Sequence, residues 1–125
     1  KKDYNTSVSD GAILELMHHE NVAEGDTFYI PTGRVHAIGA GVLLAEIQQT
    51  SDITYRIFDY NRVDAKTGAL RDLHNDLALD VIDFECHDAY KTNYETKTNA
   101  SNKLVHSPYF TSNFLIVEIL TKSSM

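Results

Sequence analysis

The stretch GDTFYIPTGRVHAIG, Gly25 to Gly39, constrains this chain more than any other feature. Thr27–Ile30 is rich in aromatic and β-branched residues, as strands are. Pro31 has no N–H to give a neighbouring strand, so it ends any ladder there. Gly33 supplies a backbone angle that residues with a side chain avoid. Together Pro31 and Gly33 predict a tight reversal. His36 follows three residues after Gly33. The pattern G-x5-P-x-G-x2-H thus predicts a strand, a turn, and a second strand that aims one imidazole inward. A rigid β-framework can hold a neutral imidazole as a metal ligand. Outside such a pattern a lone histidine reads as a core residue.

Further strands are predicted at Arg34–Ile38, Val42–Gln49, Ile53–Tyr60, Lys103–Phe110 and Asn113–Thr121, all rich in β-branched and aromatic residues. Gly39-Ala40-Gly41 separates the first two, and Thr50-Ser51-Asp52 the next two, as a hairpin loop would. Val63–Arg71 is polar around Lys66-Thr67-Gly68 and reads as loop. Helical spacing predicts short helices over residues 7–18, through Val8, Ala12, Ile13, Leu16 and Met17, and over Leu73–Ile82, through Leu73, Leu77, Ala78 and Val81. Ser7 with Asp10 resembles a capping box, and Gly11 weakens the first helix. Strands joined by short turns, with minor helix, predict a sandwich or barrel in a single domain of 125 residues.

Val42–Gln49 places Leu44, Glu46 and Gln48 on one face, and Ile53–Tyr60 places Thr54, Arg56, Phe58 and Tyr60 on one face. A turn at Thr50–Asp52 would set Glu46 and Arg56 facing across a hairpin. Charges inside a barrel are costly unless paired or used. The two are therefore either a structural pair or part of a site. The other histidines read as structural. His18 and His19 are neighbours, so on a helix they point about 100° apart. His74 heads a helix, where it caps or packs. Cys86 and His87 point to opposite faces of a strand and form no dyad. His106 lies in a strand near Tyr109.

The net charge of −7 argues against a general nucleic-acid or acidic-membrane binder. No apolar run reaches the ~18 residues of a membrane span. A single cysteine excludes an internal disulfide and suits a reducing compartment. The start, Lys1-Lys2-Asp3, has no hydrophobic region behind it, which predicts no signal peptide and a cytoplasmic protein. It also lacks an initiator Met, so a longer parent protein is expected.

Gly25, Pro31, Gly33 and His36 resemble the second signature motif of the cupin superfamily, with Ala40 where that motif has Asn. The longer run GDTFYIPTGRVHAIGAGVLLAEIQQTSDITYRIFDYNR, with ALDVIDF and LVHSPYFTSNF, closely resembles the type I mannose-6-phosphate isomerases in their short bacterial form. The resemblance extends over most of the chain. It implies a cupin-type jelly-roll barrel, incomplete in this chain, and a zinc-dependent isomerase that interconverts mannose 6-phosphate and fructose 6-phosphate. His36 matches the family's last zinc ligand, Arg56 an active-site arginine, and Glu46 an acidic residue suggested for proton transfer. The family's other zinc ligands lie in an earlier stretch with no counterpart here, so the resemblance implies the C-terminal part of the enzyme. The partners implied are a hexose 6-phosphate and the upstream part of the same enzyme; a homo-oligomer is open, since the sequence does not give the oligomeric state. Arg56 suits either the phosphate or an enediolate. The alternative is a non-catalytic cupin module that binds a sugar or a protein.

Overall fold

A computed structural model describes residue 4 and residues 7–8, 12–51 and 53–119. Asp10 and Gly11, invoked for the first helix, Asp52 of the expected hairpin turn, and Leu120 and Thr121 of the last expected strand lie outside the described residues. The chain divides into two compact units. One is Lys1–Asn21 with Ile30–Cys86; the other is Val22–Tyr29 with His87–Met125.

The expected jelly-roll barrel does not form. The described β-structure is one open antiparallel pair, β1 (Ser101–His106) and β2 (Thr111–Leu115), plus three isolated bridges. No ladder runs through 34–38, 42–49 or 53–60, and Phe28 contributes only a bridge to Lys91. Alternation of apolar and polar residues says which face of a strand can be buried. It does not supply the neighbouring backbone that a ladder needs, and strand pairing is a non-local event. Without that neighbour the apolar side chains stay in solvent: Leu43 is 100% exposed, Ile47 67% and Ile53 69%.

In the first unit Ala12–Leu16 is a 3₁₀ helix, shorter and tighter than the helix expected over 7–18. It buries Ile13 but leaves Leu16 exposed. Helix α1 (Asn75–Leu79) occupies the middle of the segment expected to be helical over 73–82. Its first turn starts at the His74 carbonyl, which accepts from the Ala78 N–H at 2.9 Å. Ala78 is the buried residue of α1, while Leu77 is exposed. Tyr4 is also buried and meets Phe84 edge-on, ring centroids 5.8 Å apart.

The Pro31–Arg34 turn is present. The Arg34 N–H donates to the Pro31 carbonyl at 3.2 Å, and Gly33 has φ +90°, the left-handed value that the third position of a type II turn needs. The turn sits on the chain just after α1. Asp83 N–H donates to the Gly33 carbonyl at 3.0 Å.

In the second unit the β1–β2 register pairs Asn102 with Phe114 and His106 with Thr111, with an irregularity between Lys103 and Val105. The strand expected over Lys103–Phe110 instead stops at His106, because Pro108 follows in a turn. Ser107 builds that turn: its hydroxyl accepts from the Tyr109 and Phe110 N–H groups, at 3.2 and 3.1 Å. Asn102 is almost fully buried. Its amide donates to the carbonyls of Lys97, Ala100 and Phe114, and its Oδ1 accepts from Lys97 N–H. Asp26 pairs with Lys91 at 2.7 Å, and this contact, then the Ala23 N–H, lowers the Asp26 pKa. No helix among the described residues is long and apolar enough to cross a membrane.

Candidate functional site

His36 lies just after the Pro31–Arg34 turn and is exposed, not aimed into a barrel. Its Nδ1 is 3.0 Å from the Arg34 carbonyl. A carbonyl oxygen only accepts, so Nδ1 carries the proton and donates. In the neutral ring this leaves the Nε2 lone pair open to solvent, the arrangement in which imidazoles ligate metals. The turn thus orients the ring without burying it.

A metal site needs more than one such donor; catalytic zinc sites have three protein ligands. Among the described residues no three His, Cys, Asp or Glu side chains come together to hold an ion. The described residues therefore do not by themselves make up a metal centre.

Glu46 is exposed on the extended 42–49 segment. The facing hairpin that would oppose it to Arg56 is absent. Among the described residues no hydrogen bond or ion pair joins His36, Glu46 and Arg56. Arg56 is instead half-buried and tied to the segment before α1. Its Nη1 donates to the Asp72 carbonyl at 3.2 Å. Its backbone N–H donates to Nδ1 of His74 at 3.1 Å, and its carbonyl accepts from the His74 N–H at 2.7 Å. Both main-chain groups of Arg56 are thus satisfied by one residue. Nε and Nη2 of Arg56 have no partner among the described residues.

A second charged cluster stands close by in sequence. Val63 and Leu70 form an antiparallel bridge around the turn Asp64–Ala69. Asp64 Oδ1 accepts from the Lys66 and Thr67 N–H groups at 2.8 and 3.0 Å, and Gly68 takes φ +69°. These two turn contacts, that with Thr67 first, lower the Asp64 pKa. The bridge brings Arg62 and Arg71 side by side, and both close on Asp59. Arg62 Nη2 reaches Asp59 Oδ1 at 2.6 Å; Arg71 Nε reaches Oδ2 at 2.6 Å, and its Nη2 also donates to Oδ1. Arg71 foremost, with Arg62 behind it, holds the Asp59 pKa down to about 2, against the opposing effect of desolvation. The outer sides of Arg62 and Arg71, with Val63 and Asp64, line a shallow open depression. With Asp59 behind them, the two arginines and Asp64 balance in sign. The cluster is a structural clamp.

Sequence reasoning passed over two of these contacts. The Arg62–Arg71 pairing was open to it, since an Asp-x-Lys-Thr-Gly turn flanked by Val63 and Leu70 predicts adjacent arginines. The contact of His74 with Arg56 was not, because no pattern links residues 18 positions apart.

With this geometry in hand, the chain can be compared with known proteins. Mannose-6-phosphate isomerase ManA of Bacillus subtilis (strain 168) is 47% identical over 83 residues, which are 66% of this chain and 26% of the relative. The probable mannose-6-phosphate isomerase GmuF of the same organism is 39% identical over 82 residues, 66% of this chain and 26% of the relative. Mannose-6-phosphate isomerase of Streptococcus mutans serotype c is 35% identical over 112 residues, 89% of this chain and 35% of the relative. The chain spans about a quarter to a third of the length of these curated relatives. No protein-family model and no solved structure matches it. Homology links the chain to the mannose-6-phosphate isomerases.

Proposed function

We propose that this chain is the C-terminal part of an isomerase that interconverts mannose 6-phosphate and fructose 6-phosphate. The homology to curated mannose-6-phosphate isomerases carries this reading. Two groups support it: His36, whose Nε2 has no partner among the described residues, and Arg56, whose Nε and Nη2 have none there.

Aldose–ketose isomerisation moves a proton from C2 to C1 through an enediol, while the C2 hydroxyl loses its proton and the C1 oxygen gains one. It needs a base and a group that stabilises negative oxygen. Glu46 is the proposed base. Arg56 is a permanent cation whose fork fits an enediolate or a phosphate. Its tie to Asp72 uses one nitrogen and leaves the other edge for that anion. His36 is the proposed protein ligand for zinc, the remaining ligands coming from parts of the enzyme that this chain does not span.

The test is a chimera in which the matched segment of the B. subtilis isomerase is replaced by the corresponding residues of this chain. It is expected to convert mannose 6-phosphate in a coupled assay and to carry zinc. His36→Ala should lower its zinc content to less than about a tenth, since metal affinity follows ligand number. A folded chimera without turnover would sink the isomerase reading. Unchanged zinc in His36→Ala would remove His36 from the metal.

A further inference from the structure

We infer that His74 is a positioning residue for Arg56, fixing the main chain from which the proposed anion-binding guanidinium projects. The inference rests on the isomerase reading for the identity of the anion, a sugar phosphate or its enediolate, and on geometry for the rest.

His74 occupies the position just before α1, yet its side chain makes no cap to the helix. The ring turns the other way and accepts the Arg56 N–H on Nδ1. A backbone N–H only donates, so Nδ1 is unprotonated and the neutral ring carries its proton on Nε2. The backbone N–H of His74 meanwhile donates to the Arg56 carbonyl. Residue 56 is therefore held on both its main-chain groups, as in a strand pair, but one half of the pair is a side chain. The same His74 carbonyl accepts from Ala78, so α1 anchors the whole arrangement, and Ala78 is the residue through which α1 is buried. Two residues before His74, the Asp72 carbonyl takes Nη1 of Arg56. The segment 72–74 thus fixes both ends of Arg56, its backbone and one nitrogen of its fork. Tyr55, beside Arg56, lies against the His74 ring with centroids 6.0 Å apart.

A guanidinium that must meet a small anion loses effectiveness when its anchor shifts by an ångström; such misplacement costs up to about 100-fold in rate. His74→Leu removes the acceptor and frees the Arg56 N–H. His74→Asn restores an acceptor, because Asn Oδ1 stands near the place of Nδ1.

Two measurements test this. In this chain, hydrogen exchange read by NMR should show the Arg56 amide protected in the parent and in His74→Asn, and unprotected in His74→Leu. Protection kept in His74→Leu overturns the proposal. In the chimeric isomerase, His74→Leu should lower kcat/KM about 10-fold and His74→Asn should recover most of it. With Arg56→Lys already in place, His74→Leu should cost less than about 2-fold more, since residues acting through one another are not additive. Full additivity would mean that His74 acts on general stability and would overturn the proposal. A parent chimera without turnover removes the isomerase reading alone, and the amide measurement then decides the positioning role.

Discussion

Gly33 meets backbone rather than side chains, which makes it the least replaceable residue of the turn. A Cβ there would fall inside van der Waals contact of the Val81 carbonyl oxygen and 3.3 Å from the Asp83 nitrogen. Its φ of +90° adds strain for any residue with a side chain. Neither neighbour is a flexible side-chain end, so the turn itself must move. Gly33→Ala is expected to destabilise the chain by about 2–3 kcal/mol, the scale of a forced backbone conformation. Urea unfolding followed by circular dichroism checks it; a midpoint equal to the parent's would show that the turn tolerates a methyl group. His36 and His74 show how little of a side chain's chemistry is written in its type. One ring donates through Nδ1 and offers a lone pair; the other accepts through Nδ1 and offers a proton. The pattern around His36 marked it in the sequence. Nothing around His74 did, since its role comes from a contact 18 residues away.

At the scale of elements, the turns were legible and the sheet was not. Pro31, Gly33 and Gly68 act through their own dihedrals and their nearest neighbours, so local chemistry predicts them. The strands expected at 34–38, 42–49 and 53–60 depended on partners, and propensity says nothing about which partner arrives. Even where strands formed, β1 and β2 were shifted from the expected bounds because Pro108 and the Ser107 hydroxyl set the turn. The Val63–Leu70 hairpin has one bridge and is braced by charge, and its pH behaviour follows. Asp59 has its pKa lowered to about 2, against roughly 3.9 in an unfolded chain. A depressed carboxylate pKa adds stability above the unfolded value, and that stability is lost as pH falls through the folded one. The clamp should therefore be intact at neutral pH and weaken from about pH 4 down to about pH 2. In Arg71→Gln the larger of the two arginine contacts is gone, so the Asp59 carboxyl, followed by NMR, should titrate at higher pH than in the parent. An unchanged midpoint would mean that Arg62 alone holds the carboxylate.

At the scale of the whole molecule, hydrophobic residues make up 42% of the sequence, but few of the described ones are buried. Tyr4, Ile13 and Ala78 are buried apolar residues among those described, while Leu43, Leu44, Ile47 and Ile53 stand in solvent. Exposed apolar side chains in such number favour association. The net charge of −7 opposes it at long range and is screened within about 8 Å at physiological salt. The chain by itself is expected to self-associate more strongly as salt rises, which light scattering across a salt and concentration series measures. A strictly monomeric chain at high salt would show that the 42–53 segment is covered by some other arrangement. The same segment bears on the chain's lifetime in a cell. An apolar run whose backbone lacks a ladder is what chaperones and proteases read as unfinished folding. Such a chain is expected to be degraded quickly for as long as Leu43 and Ile47 stay uncovered, so its abundance would be set by its removal more than by its own rate of synthesis.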